Sequence, residues 1–205
     1  MTKDGLDRVY TLESAEAARS FYDDWAAGYE DELAQNGYIT PQRCASAFAE
    51  HVADPAAPLL EIGCGTGLGG LALRAAGCTI IDGFDLSPEM LKRAEEKGIY
   101  RKLGTIDLSE PLDGLKPGTY TNAAAIGVLN PSFMPPTVID EVLAVLPEGG
   151  CFVFSLNDNS AADGSIETRI LELTEHGVAD LIFKDYGQHI PEHDLKSTVY
   201  IMRKR

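Results

Sequence analysis

The run from Leu59 to Gly70, LLEIGCGTGLGG, constrains this chain more than any other stretch. Its apolar start, Pro58-Leu59-Leu60 leading into Glu61-Ile62, reads as a short buried strand. Gly63, Gly65 and Gly67 then fall at every second position, and Leu68 to Leu73 can continue as a helix. A strand, a glycine turn and a helix in that order present bare backbone and the free N–H groups of a helix start to anything that binds there. A strand that feeds a helix in this way also predicts a parallel sheet covered by helices.

The rest of the chain continues that alternation. Strands are predicted at residues 79–85, within 100–106, and at 118–127 and 151–156; helices at 88–97, 137–146 and 165–176. Ser87-Pro88 supplies a cap and a first-turn proline for the helix at 88, and residues 157–164 read as a polar loop. Two closing strands, 179–186 and 196–202, have no helix between them and suit an antiparallel pair. Before the glycine run, residues 1–12 show no periodicity. Residues 13–35 repeat Ala18, Phe21, Tyr22, Trp25 and Tyr29 at helical spacing, with Gly28 splitting the pattern, and Pro41 opens a further helix. The expected fold is α/β, a three-layer αβα doubly wound sheet of about seven strands, mostly parallel with an antiparallel last strand, preceded by N-terminal helices. Its division would be residues 1–53 as a helical segment and 54–205 as the main unit.

With 205 residues, 44% of them hydrophobic and 24% charged, the chain fits one globular domain. It has no run of apolar residues long enough to span a membrane, and its start, MTKDGLDRVYTLESAE, has no hydrophobic signal core; a cytoplasmic location is expected. The four cysteines show no paired spacing and the four histidines no metal-ligand pattern, so no metal is expected. The net charge of −15, with Arg203-Lys204-Arg205 as the only dense basic cluster, argues against a nucleic-acid partner and for a small molecule. Nothing in the sequence specifies an oligomeric state.

Two cofactor classes use such a turn. Gly65-Thr66-Gly67-Leu68-Gly69-Gly70 satisfies the dinucleotide fingerprint G-x-G-x-x-G. The overlapping frame E-x-G-x-G-x-G, from Glu61 to Gly67, favours S-adenosylmethionine. Gly63 follows the strand at once, whereas Gly65 begins two residues late. An acid at Glu61 repels a pyrophosphate but attracts a cationic amino-acid end. Asp85, 18 positions after Gly67 at the end of the next strand, is placed for ribose hydroxyls, a feature both cofactors share.

From about residue 12 to the end, these motifs and their order resemble the Rossmann-like S-adenosylmethionine-dependent methyltransferases that act on small molecules. Tyr22-Asp23-Asp24-Trp25-Ala26-Ala27-Gly28-Tyr29-Glu30 is similar to their Y-D-x-W-A-x-x-Y-D/E element, and Ser87 to Tyr100 keeps the pattern S-P-x-M-L-K-x-A-x-x-x-G-x-Y. The resemblance implies that Gly63, Cys64, Gly65 and Gly67 wrap the methionine part of S-adenosyl-L-methionine, with Glu61 beneath. It implies Asp85 on the ribose, Leu86 and Met90 beside the adenine, and Asp107 on the adenine amino group. Ile126 and Gly127, with Val128, would line the methyl donor, and Tyr22, Trp25 and Tyr29 would form a lid within residues 1–53. Each has a plainer reading: the buried face of a helix for the aromatics, core packing for Met90, a loop cap for Asp107. Asn130-Pro131-Ser132-Phe133 is similar to the N-P-P-Y/F motif of amino-group methyltransferases, but follows Gly127-Val128-Leu129 and has Ser at its third position. The implied activity is in-line methyl transfer to a small-molecule acceptor. Tyr22, Tyr29, His189 and Asn130 are candidates to orient it, and no catalytic base is specified. The alternatives are a binding module without turnover, or a nicotinamide-dependent oxidoreductase on Gly65–Gly70 with a Tyr/Lys pair.

Overall fold

The structure is a computed structural model that describes residues 5–9, 12 and 14–205. Helices α1 (Gly5–Arg8), α2 (Ala15–Trp25), α3 (Tyr29–Gln35) and α4 (Thr40–His51) precede the sheet. The expectation that residues 1–12 lack structure lies partly outside the described residues; within them, Gly5–Arg8 is one helical turn. Ser14 caps α2 by accepting from the Ala17 N–H, and the pattern read as helical over 13–35 breaks ahead of Gly28, as its low helix propensity predicts.

Strands β1 (Leu59–Ile62), β2 (Ile81–Asp85), β3 (Lys102–Thr105), β4 (Asn122–Ala125), β5 (Cys151–Asn157), β6 (Ala179–Ile190) and β7 (Leu195–Lys204) form one seven-stranded sheet in the order β3-β2-β1-β4-β5-β7-β6. The pairs among β1 to β5 are parallel, and β7 lies antiparallel between β5 and β6. Helices α5 (Leu68–Ala75), α6 (Pro88–Glu96), α7 (Val138–Val145) and α9 (Ser165–Glu175) occupy the intervening positions. The segment expected as a loop at 157–164 contains a short helix α8 (Asp158–Ala161), because the Asn157 side chain accepts from the Ser160 N–H and starts a turn. Strands β6 and β7 also run further than expected, so that Gly187 to Ile190 pair with β7 through a register shift.

Strand periodicity sorts the core into two layers. Leu60, Ile62, Ala123, Phe152 and Phe154 face Val138, Ile139 and Val142 of α7 and Ile166 and Ile170 of α9. Leu59, Ile81, Ala124, Val153 and Ile201 face Cys44 and Phe48 of α4 and Leu73 of α5. Both faces of the central strands are dry, which accounts for their near-continuous apolar sequences. The strand order reverses between β1 and β4, so a crevice opens at their C-terminal ends.

Candidate active site

The crevice is built on the glycine turn. Gly63 leaves β1 with φ +64°, a conformation that favours glycine, and a Cβ there would overlap the Val128 side chain. The turn is tied to β2 through the Cys64 N–H, which donates to the Phe84 carbonyl at 3.0 Å. Asp85 receives the Gly65 N–H at 2.7 Å on one oxygen and the Ser87 N–H at 2.9 Å on the other. Burial raises its pKa, against those N–H donors. A carboxylate accepts about four hydrogen bonds, so the two backbone donors leave lone pairs for a ligand.

Glu61 lies under the turn, almost fully buried, and burial pushes its pKa up to about 8 even though the Tyr100 hydroxyl donates to it at 2.8 Å. Tyr100 reaches this carboxyl across Gly70 and Gly83, where any Cβ would collide with its ring or hydroxyl. In the sequence Tyr100 is marked only as the last residue of a motif; its role as the partner of Glu61 comes from that slot.

The cleft above the turn spans about 870 Å³, its open mouth included. Glu61, Gly63, Cys64, Gly65, Asp85, Leu86, Met90, Asp107, Ile126 and Gly127 line its wall, together with Tyr22 and Tyr29 from α2 and α3. Two of the expected residues are not on that wall. Gly67 starts α5 with φ +95° and faces Lys97 and Tyr100, and Trp25 lines an adjoining chamber while its Nε1 donates to Glu32 at 2.7 Å. Asp107 borders the cleft and also holds its own loop, accepting from the Ser109 N–H and hydroxyl. Phe133, the last residue of the Asn130-Pro131-Ser132-Phe133 motif, also lines the cleft, as does Tyr38, to which no spacing in the sequence points; the Tyr38 hydroxyl sits against Gly127.

Helices α2 and α3 are fastened beside the cleft by polar ties. The Ser87 hydroxyl donates to Asp23 at 2.5 Å, and Lys97 pairs with Glu30 at 2.5 Å. The Tyr/Lys pair that a nicotinamide enzyme would need has one match in spacing, Tyr200 and Lys204, but these lie along β7. Tyr200 is buried and bonded to Glu167, and Lys204 donates to the carbonyls of Ala144 and Leu146, away from the glycine turn. The all-parallel order of a dinucleotide fold, β6 following β5 directly, is also interrupted here by antiparallel β7.

Residues 60–152 match the methyltransferase domain family. Over 144 residues, 69% of this chain, the sequence is 33% identical to methyltransferase-like protein 27 of Homo sapiens, and the chain spans 58% of that relative's length. Among solved structures, magnesium protoporphyrin IX methyltransferase from Synechocystis, with bound S-adenosylhomocysteine, superposes with a TM-score of 0.63 at 14% identity, covering 86% of this chain and 87% of that one. The fold is that of the S-adenosylmethionine-dependent methyltransferases. A chain from the complex of the Haloferax volcanii Trm112 methyltransferase activator with a methyltransferase shares this methyltransferase fold at a TM-score of 0.67 and 14% identity, covering 89% of this chain and 97% of that one. Among the described residues no helix is long and apolar enough to cross a membrane, and no group of side chains is arranged to hold a metal ion.

Proposed function

We propose that this protein transfers the methyl group of S-adenosyl-L-methionine to a small-molecule acceptor. The observation that carries the reading is the charge of the cleft. Glu61, Asp85 and Asp107 all border it, and no Lys, Arg or His does so among the described residues. A dinucleotide would bring a pyrophosphate against Asp85 and Asp107, with Glu61 held mostly protonated by its burial and no cation to meet it. S-adenosylmethionine instead brings an ammonium, a ribose diol and an adenine amino group, each of which carboxylates bind well. It also supplies a methyl group on a positively charged sulfur, already activated for transfer.

The chain's own residues hold and orient. Glu61 receives the ammonium, Asp85 the ribose hydroxyls, and Leu86 and Met90 pack on the base. Within residues 1–53, helices α2 and α3 act as the lid that keeps water out of the cleft carried by residues 54–205, while α4 packs on the sheet. The acceptor's lone pair forms the new bond to the methyl carbon as the sulfur–carbon pair returns to sulfur; an acceptor N–H or O–H then gives its proton to water. The acidic net charge supports a small acceptor over a nucleic acid, and four unpaired, buried cysteines support a cytoplasmic setting.

Calorimetric titration of S-adenosylmethionine, S-adenosylhomocysteine and NADH tests this. The first two bind wild type and weaken about 100-fold or more in Asp85→Ala, which loses charge-assisted bonds of about 1.5–3 kcal/mol each. NADH does not bind. Binding of NADH alone, or of none of the three, would overturn the reading.

A further inference from the structure

Behind the ring-lined wall of the cleft lies a second chamber, of about 520 Å³ with its mouth included. Tyr22, Tyr29, Tyr38, Gly127, Val128 and Phe133 border both spaces, so the two adjoin across these side chains. We propose that this chamber takes the methyl acceptor and that the acceptor is an uncharged, planar aromatic molecule; the proposal rests on the methyltransferase reading above.

Charge is the first argument. Beyond the shared wall, the chamber is lined by Trp25, Asn130, Asn157, Ser160 and His189 together with aliphatic residues, and among the described lining residues there is no Lys, Arg, Asp or Glu. His189 does not alter this: burial, and after it the charge of Arg43, lower its pKa to about 4, so its ring is neutral at physiological pH. Its Nδ1 is engaged with the Thr40 hydroxyl at 2.7 Å, which holds the ring in place. An ion of either sign entering such a space sheds water and meets no counter-ion, at a cost of several kcal/mol.

Shape and hydrogen bonding supply the second. Trp25 packs nearly parallel to Tyr22, ring centroids 6.1 Å apart, and edge-on to Tyr29 at 4.8 Å, so this side of the chamber is a cluster of aromatic rings, and a further ring packs on such a cluster better than an aliphatic guest does. Asn130 and Asn157 each commit the side-chain oxygen to the backbone, accepting from the Ser132 and Ser160 N–H groups. Their amide NH₂ groups remain as donors, suited to a guest with a carbonyl, ether or phenol oxygen.

The chain holds a single tryptophan, and Trp25 lines this chamber and not the cofactor cleft, so its fluorescence reports on the chamber. With the protein saturated in S-adenosylhomocysteine, four single-ring probes that do not absorb its emission are titrated: p-cresol and phenylacetamide, which are neutral, benzoate and benzylammonium. The expected result is saturable change with the neutral pair at affinities at least ten-fold tighter than with either ion. Ions that bind as tightly as p-cresol, or neutral probes that never saturate, would overturn the proposal. Asn157→Asp keeps an oxygen to cap α8 and adds one negative charge, since Asn and Asp cap equally well. In that variant benzylammonium tightens at least ten-fold and p-cresol does not; an unchanged benzylammonium titration places the probes elsewhere and also overturns it. Calorimetry with S-adenosylhomocysteine on the same samples separates the two failures. Loss of that binding sinks the methyltransferase reading beneath, whereas intact binding with indiscriminate probes sinks the chamber assignment alone.

Discussion

Glu61 links ligand binding to a proton. Its carboxyl is buried under the glycine turn with a pKa of about 8, so at pH 7 about nine in ten molecules hold it protonated. Pairing with a ligand ammonium requires the carboxylate. Binding at pH 7 therefore releases close to one proton, and apparent affinity rises about nine-fold from pH 6 to pH 7 as the ionised fraction grows. The ligand's own amine is that of a free amino acid, more basic than a peptide α-amino group, and stays protonated at or below pH 7. The assay is calorimetry with S-adenosylhomocysteine in buffers of different ionisation enthalpy, where the slope of observed heat against buffer enthalpy counts the proton. Wild type should give about 0.9 released and Glu61→Gln about zero, with weaker binding that no longer depends on pH. The free protein carries the same signature with the opposite consequence. A folded pKa of about 8 against an unfolded value near 4.5 means that stability is full below pH 4.5 and falls as pH rises to 8. The loss is on the order of 3 kcal/mol by pH 7 at about 1.4 kcal/mol per unit, and Glu61→Gln lacks this slope. A wild-type buffer slope of zero, or a Glu61→Gln variant that binds with unchanged affinity and unchanged pH dependence, would refute the placement of the ammonium on Glu61.

Two further outcomes follow from the geometry. Asp23→Ala and Lys97→Ala each cut one tie between the N-terminal helices and α6, so the KM for S-adenosylmethionine should rise several-fold with little change in melting temperature, read by initial rates and differential scanning fluorimetry. Asp82→Ala should do the reverse. It strips the buried Tyr120 hydroxyl of its acceptor at 2.9 Å and frees Arg101, whose outer half is already in water, so the cost is about 2 kcal/mol, or roughly 4–8 °C in melting temperature, with S-adenosylhomocysteine affinity unchanged.

The local sequence determined the elements wherever a signal is contained within a few residues. Ser87-Pro88 caps and starts α6, Gly28 separates α2 from α3, and Leu59 to Gly67 forms strand and turn, because caps, helix breaks and left-handed glycines are settled by the residue and its immediate neighbours. The carboxyls of Glu61 and Asp85 were legible for the same reason: each ends or nearly ends a strand that abuts the turn. The tertiary structure alone decided which side chains converge. Trp25 repeats with Tyr22 and Tyr29 along one helical pattern, yet the pocket boundary falls between them, since a helix face a few ångströms wide is shared by two cavities. Tyr38 lies in no local motif, and the motif that ends at Tyr100 does not fix where its hydroxyl goes; they reach Gly127 and Glu61 because distant glycines leave room for them. The insertion of β7 between β5 and β6, and the neutral chamber that gathers Asn130, Asn157 and His189, arise from contacts between residues far apart in the chain. Such contacts are selected by packing of the whole sheet, and periodicity, which is a property of one segment at a time, does not encode them.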